Sequence, residues 1–223
     1  MRLLLALLVT TSLHAAELRI GSATVSITPD KPVALAGQFG TRISQSVEAP
    51  IIAAAVAIES VEGGKVVDQS ILISCDLVAI HHSVLAQFRQ HLKPLLPDFD
   101  VRKVIVSATH THTAPVVARE MSRDDIDGAN TELGLAYTAK LPSLLAKSVA
   151  DANATLTPVR MQVAKGHVEN LAFNRRFWMK NGTVAWNPKK LDPDIVRPAG
   201  PVDPEVGLLT FDQPAPMEKW TPF

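Results

Sequence analysis

The chain is short of cysteine, of net charge and of long hydrophobic runs, and each scarcity excludes a class of protein. Its 223 residues include one cysteine, Cys75, so no internal disulfide can form and a disulfide-stapled scaffold is excluded. The 22 Lys+Arg residues balance 22 Asp+Glu, which leaves no electrostatic footprint for nucleic acid, and no such partner is expected. With 20% charged residues against 47% hydrophobic ones, the chain is not a disordered tail but has material for a sizeable core. Glycines number 11 against 16 prolines, a ratio that favours ordered loops over low-complexity linkers. The apolar run from Leu3 to Leu13 has 11 residues, well short of the roughly 20 that a spanning helix needs.

That run nevertheless has a meaning. MRLLLALLVTTSLHAA opens with Arg2, continues through the apolar stretch and closes on the small residues Ala15 and Ala16. This is the pattern of a secretory signal peptide over 1–16, with the mature chain 17–223 secreted or periplasmic. A lone Cys75 within an apolar run suits either compartment as a buried thiol.

The hydrophobic pattern predicts an α/β fold. Residues 18–28 alternate as one or two strands, and 31–49 form an irregular loop holding Gly37, Gly40 and Arg42. Residues 51–60 and 66–75 read as a hairpin turned at Gly63-Gly64. Val84, Leu85, Phe88 and Leu92 fall at helical spacing, which predicts a helix over 82–93 ended by Pro94 and Pro97. Residues 101–109 read as a buried strand, completing a βαβ unit with two neighbouring parallel strands. A long helix is expected over 131–151, with Pro142 as a kink. Beyond it come a strand at 159–164, a hairpin over 177–186 turned at Asn181-Gly182, a proline-rich loop over 187–204 and a last strand at 206–211. The fold class is a mixed sheet with a parallel βαβ core and antiparallel hairpins.

Ligands in such sheets gather beyond the carboxyl ends of parallel strands, and SATHTHTAP (107–115) occupies that place. His110 and His112, one residue apart, face the same side of an extended chain and can converge on one metal ion or substrate. Thr109, Thr111 and Thr113 bracket them and are candidates to orient the rings. The remaining candidates have plainer readings. His81 and His82 stand at a helix start as capping or edge residues, with Asp76 close in sequence, and His91 is a surface residue near that helix's end. Asp124, Asp125 and Asp127 break the calcium-loop pattern after Gly128. Phe173, Phe177, Trp178 and Trp186 read as core or cross-strand packing rather than an acyl-chain pocket.

Ser107-Ala108-Thr109-His110-Thr111-His112-Thr113-Ala114-Pro115 resembles the Ser-x-Thr-His-Thr-His-Ser-x-Pro signature of neutral/alkaline, non-lysosomal ceramidases. Ile27-Thr28-Pro29 resembles that family's Asp-Ile-Thr opening, Asp76 its acidic strand end, and Asn174-Arg175 its Asn-Arg-Ser segment, with Arg176 in place of the Ser. PDIVRPAGPVDPEVGLLTFD (193–212) is similar to bacterial ceramidase-like proteins, so the resemblance runs from about Gly21 to Asp212. It implies zinc-dependent hydrolysis of an N-acyl amide, a ceramide-like lipid being split into fatty acid and sphingoid base. It also implies roles: His110 as zinc ligand, His112 assisting proton transfer or polarisation, and Arg175 near the substrate's polar head. A zinc ion would polarise the carbonyl and lower the pKa of its water, and a guanidinium would stabilise an oxyanion. Transient contact with a membrane surface follows from the lipid substrate alone.

The family's further ligands, a second His, a Glu and a Tyr, and its proposed nucleophilic Ser follow a strand equivalent to Val206–Phe211. After His112 this sequence has one more histidine, His167, and zinc takes three or four protein ligands. Residues 17–223 are therefore expected to be the N-terminal part of a catalytic domain. Asp76, Glu169 and His167 are the residues to examine as substitutes. The alternative reading is a non-catalytic exported fragment or binding module that keeps the scaffold and lacks a complete metal site.

Overall fold

The computed structural model describes residues 16–37, 40–118 and 131–213. The expected signal segment, apart from Ala16, and the Asp124–Gly128 loop lie outside them. The chain divides into two compact units, one running to Arg160 and resuming at Gln213, the other Met161–Asp212.

The first unit contains β1 (Glu17–Ser26), β2 (Ala34–Leu35), β3 (Arg42–Ile43), β4 (Ile52–Glu62), β5 (Lys65–Cys75), α1 (His82–Leu95), β6 (Val104–Ala108), α2 (Glu132–Ala154) and β7 (Thr157–Pro158). Its main sheet has the order β6-β5-β4-β1-β7. The β4–β5 hairpin turns at Gly63 and Gly64, whose φ angles of 55° and 78° need residues free of a Cβ penalty. β5 and β6 are parallel, with Ile73 opposite Val106 and Cys75 opposite Ala108. The predicted βαβ unit is therefore β5–α1–β6, and the fold is α/β with a mixed sheet.

Alternation sets the core. Ala53, Ala55 and Ala57 of β4 and Ile71, Ile73 and Cys75 of β5 are buried on one face of the sheet. Val84, Phe88 and Leu92 of α1 and Leu141, Leu145 and Val149 of α2 belong to the same buried cluster. Each such large side chain contributes about 1.5–3 kcal/mol when removed from water. The alanines of β4 leave room for the helix layer, and Gly21 leaves more: a Cβ there would stand 2.1 Å from the Ala152 carbonyl oxygen.

Several boundaries differ from expectation for local reasons. α1 continues through Pro94 to Leu95, because the missing proline N–H falls in the last turn and the Leu96 N–H still reaches the Leu92 carbonyl. Residues 101–103 form a 3₁₀ turn rather than strand, with the Asp100 side chain accepting from the Arg102 N–H at 3.0 Å. α2 carries Pro142 without interruption, and the Thr131 hydroxyl caps its start by accepting from the Gly134 N–H. The loop 31–49 contains an element after all, the β2–β3 ribbon.

In the second unit, β8 (Arg160–His167) pairs with β12 (Glu205–Asp212), and β9 (Arg176–Met179), β10 (Val184–Trp186) and β11 (Ile195–Pro198) form a sheet of order β10-β9-β11. Asn181-Gly182 is the expected turn, with Gly182 at φ 78°. β11 lies inside the stretch expected to be loop. It is an edge strand, where Pro198 sacrifices no ladder bond that the sheet requires. Every residue of β8 is exposed, and Val163, Leu208 and Leu209 stand among the exposed large apolar side chains. Among the described residues no helix is long and apolar enough to cross a membrane.

Candidate functional site

The site begins where the two parallel strands end. The Thr109 N–H donates to the Cys75 carbonyl at 2.9 Å and the His110 N–H to the Leu77 carbonyl at 3.0 Å, so the segment after β6 continues along the segment after β5. His110 then takes φ 61°, a left-handed conformation rare for a residue with a side chain. Strand alternation therefore does not set the direction of its ring. Even so, the His110 and His112 rings come together, their centroids 5.1 Å apart and their planes at 70°, edge to face. Both residues are exposed.

His110 Nδ1 lies 2.8 Å from the Val78 carbonyl oxygen. A carbonyl can only accept, so Nδ1 carries the proton and in the neutral ring the lone pair is on Nε2. This is the tautomer a metal-ligating imidazole adopts when a backbone carbonyl orients it. The backbone, rather than a bracketing threonine, supplies that bond. The Thr111 and Thr113 hydroxyls lie 3.0 Å from each other, and both residues line a cleft of about 1000 Å³ with Asp76, Arg42, Glu48 and Ile51.

The block is seated on a small apolar cluster of Ala34, Ala36, Val116 and Ala118, with Val78 packed against it. The Ala36 N–H donates to the Ala114 carbonyl and the Val116 N–H to the Ala34 carbonyl, each at 2.9 Å. Gly37, at φ 86°, lies so close to His112 that a Cβ would stand 2.2 Å from its Cγ. Arg42 Nη2 donates to the His112 carbonyl at 2.7 Å and to the Ala36 carbonyl at 3.2 Å. Sequence reading passed over Gly37 and Arg42 as members of an irregular loop. The one signal available was a glycine and an arginine close together in a segment with no strand periodicity.

Asp76 accepts from the Ile52 N–H through Oδ2 at 3.1 Å, while its own N–H donates to the Ile52 carbonyl, so it fastens β4 to the end of β5. Cys75 is fully buried, and burial, helped by the Asp76 charge, pushes its thiol up to about 12. It behaves as the buried thiol expected. His81 occupies the N-cap of α1 without a side-chain capping bond, and His82 and His91 are exposed on that helix.

In the second unit, Arg175 is exposed with its guanidinium carbon 5.7 Å from the Trp186 ring centroid, a cation–π contact. Arg197 sits likewise over Trp178, its partner in the β9–β11 register. Trp178 faces Val184 and Phe177 faces Ala185 across β9–β10, the cross-strand neighbours expected, but Phe173, Trp178 and Trp186 are all exposed. His167 Nε2 lies 3.4 Å from Glu169 Oε1.

Among the described residues no three His, Cys, Asp or Glu side chains are grouped to hold a metal ion. His110 and His112 offer two nitrogens, short of the three or four donors of a zinc site. The donor set present does not by itself fit zinc.

No protein-family model matches the sequence, and no curated protein matches it. Solved structures do. The neutral ceramidase of Pseudomonas aeruginosa superposes with a TM-score of 0.66 at 20% identity, over 89% of this chain and 30% of that one. A ceramidase structure described as complexed with C2 gives 0.63 at 20% identity, over 88% of this chain and 29% of that one. The chain spans less than a third of these proteins' length, and its fold is that of part of a neutral ceramidase.

Proposed function

We propose that this protein is the N-terminal part of an exported hydrolase of N-acyl amides, acting on ceramide-like lipids, with 1–16 as its signal peptide and 17–223 belonging to the catalytic domain. In this reading His110 is a zinc ligand, His112 assists proton transfer beside it, and Arg175 meets the substrate's polar head. The observation that carries the reading is the His110 ring itself: Nδ1 is committed to the Val78 carbonyl and Nε2 is left as a donor, 5.1 Å centroid to centroid from a second imidazole. The fold shared with neutral ceramidases supports it.

The test is fatty-acid release from a fluorescent N-acyl sphingoid base by the purified protein in the presence of zinc. Release that disappears in His110→Ala supports the reading. Activity indifferent to that substitution refutes the role given to His110.

A second reading, a non-catalytic exported fragment or binding module that keeps the scaffold, is favoured by the chain's covering only 30% of the neutral ceramidase it superposes on. It predicts no release from wild type or variant alike.

A further inference from the structure

We infer that Arg42 is a positioning residue for His112, acting with Gly37 as a clip that holds the imidazole against its neighbour. This deepens the proposed function, since its catalytic meaning rests on the role given there to His112, but the geometry stands apart from that role.

One guanidinium nitrogen, Nη2, donates to two carbonyls on different segments, His112 at 2.7 Å and Ala36 at 3.2 Å. His112 lies 70 residues from Arg42 in sequence, so the bond is a tertiary fastening rather than a local turn. A charged donor bonded to a carbonyl is stronger than a neutral one. The loop so fastened already pairs with the far side of the block through Ala36–Ala114 and Val116–Ala34. Arg42 therefore closes the loop onto the His-Thr-His segment from its other end. Gly37 supplies the close fit. It lies under the ring of His112, where any Cβ would meet Cγ at 2.2 Å and Nδ1 at 2.5 Å, and its positive φ is one that glycine adopts without strain. The ring also lies edge to face with His110. His112 is thus bounded by a backbone, an imidazole and a bonded carbonyl, although it is exposed to solvent. A pair of rings set in this way needs no rearrangement when it engages a ligand, which is what preorganisation of a site requires.

The experiment is proton NMR of the imidazoles in the full chain, without metal or substrate, comparing wild type, Arg42→Gln and Gly37→Ala, with Arg102→Gln as control. Arg102 is exposed and paired with Asp100, remote in role from the block. The inference predicts that the His110–His112 inter-ring Overhauser effect is lost or strongly reduced in Arg42→Gln and Gly37→Ala and kept in the control. The wild type carries an independent test: Arg42 guanidinium protons should show hindered rotation and slowed exchange at low temperature, unlike those of the exposed Arg160. If Arg42→Gln does not fold, this second measurement decides. A wild-type inter-ring signal in folded Arg42→Gln, or an Arg42 resonance averaged like that of Arg160, overturns the inference. Because neither zinc nor turnover enters, absence of hydrolysis leaves the clip standing, and a failed clip leaves the hydrolase reading standing.

Discussion

The Nδ1 nitrogen of His110 and the carbonyl oxygen of Val78 lie 2.8 Å apart, joining the segment after β6 to the segment after β5 through a side chain. The bond fixes the ring in the tautomer that frees Nε2. Nitrogen-15 NMR above the pH at which the ring is neutral should show a pyrrole-like Nδ1 and a pyridine-like Nε2 for His110. The opposite assignment would mean that the bond to Val78 does not form.

The left-handed backbone of His110, at φ 61°, makes a second prediction. A side chain in that region costs about 1 kcal/mol relative to glycine. His110→Gly should therefore be more stable than His110→Ala by about that amount in urea denaturation, although glycine is ordinarily the more costly residue. Equal or reversed midpoints would contradict the conformation.

Gly21 tests how the sheet meets the helix layer. A Cβ there would stand 2.1 Å from the Ala152 carbonyl oxygen and 2.8 Å from the Leu156 nitrogen, both backbone atoms. Gly21→Ala should lower stability by about 3 kcal/mol, at the upper end of ordinary overpacking costs. Thermal denaturation of the variant beside wild type reads this directly.

Cys75 is fully buried, and its thiol is raised from 9.0 to about 12, chiefly by desolvation. The native state therefore holds the thiol proton more tightly than the unfolded chain does. This contribution to stability is fully present below pH 9 and is lost as pH rises from there towards about 12. At pH 8 a thiol reagent such as Ellman's should modify Cys75 only as fast as the protein opens, and at once in denaturant. Rapid modification of the native protein would contradict this burial.

The parts of the fold legible in sequence are those coded locally. The Gly63-Gly64 hairpin, the helix stripe of Val84, Phe88 and Leu92 and the strand at Val104–Val106 each repeat with one period over a few turns or pleats. The βαβ unit follows from their order. What escaped reading is held by distant partners. β2 and β3 are two residues each, and Leu35 pairs with Pro115 across 80 positions of chain. β11 is drawn into a sheet by β9 despite Pro198. At the site, His110 and His112 were visible as a pair because spacing alone announces them. The bond to Val78, the seat on Gly37 and the fork of Arg42 were not, since a carbonyl has no residue identity and each contact depends on where the chain returns. Strand alternation points to this pair but does not by itself join the rings, because a left-handed turn at His110 intervenes before they meet.

In the proposed function His110 presents Nε2 to a zinc ion with His112 beside it. A zinc titration of the purified chain, followed by the nitrogen-15 shifts of its imidazoles, tests this directly, with His110→Ala as the control. A large saturable shift at His110 Nε2, a smaller response at His112, and loss of the His112 response in His110→Ala are expected. Zinc that leaves both rings unmoved, or that perturbs His112 equally in the variant, would contradict it.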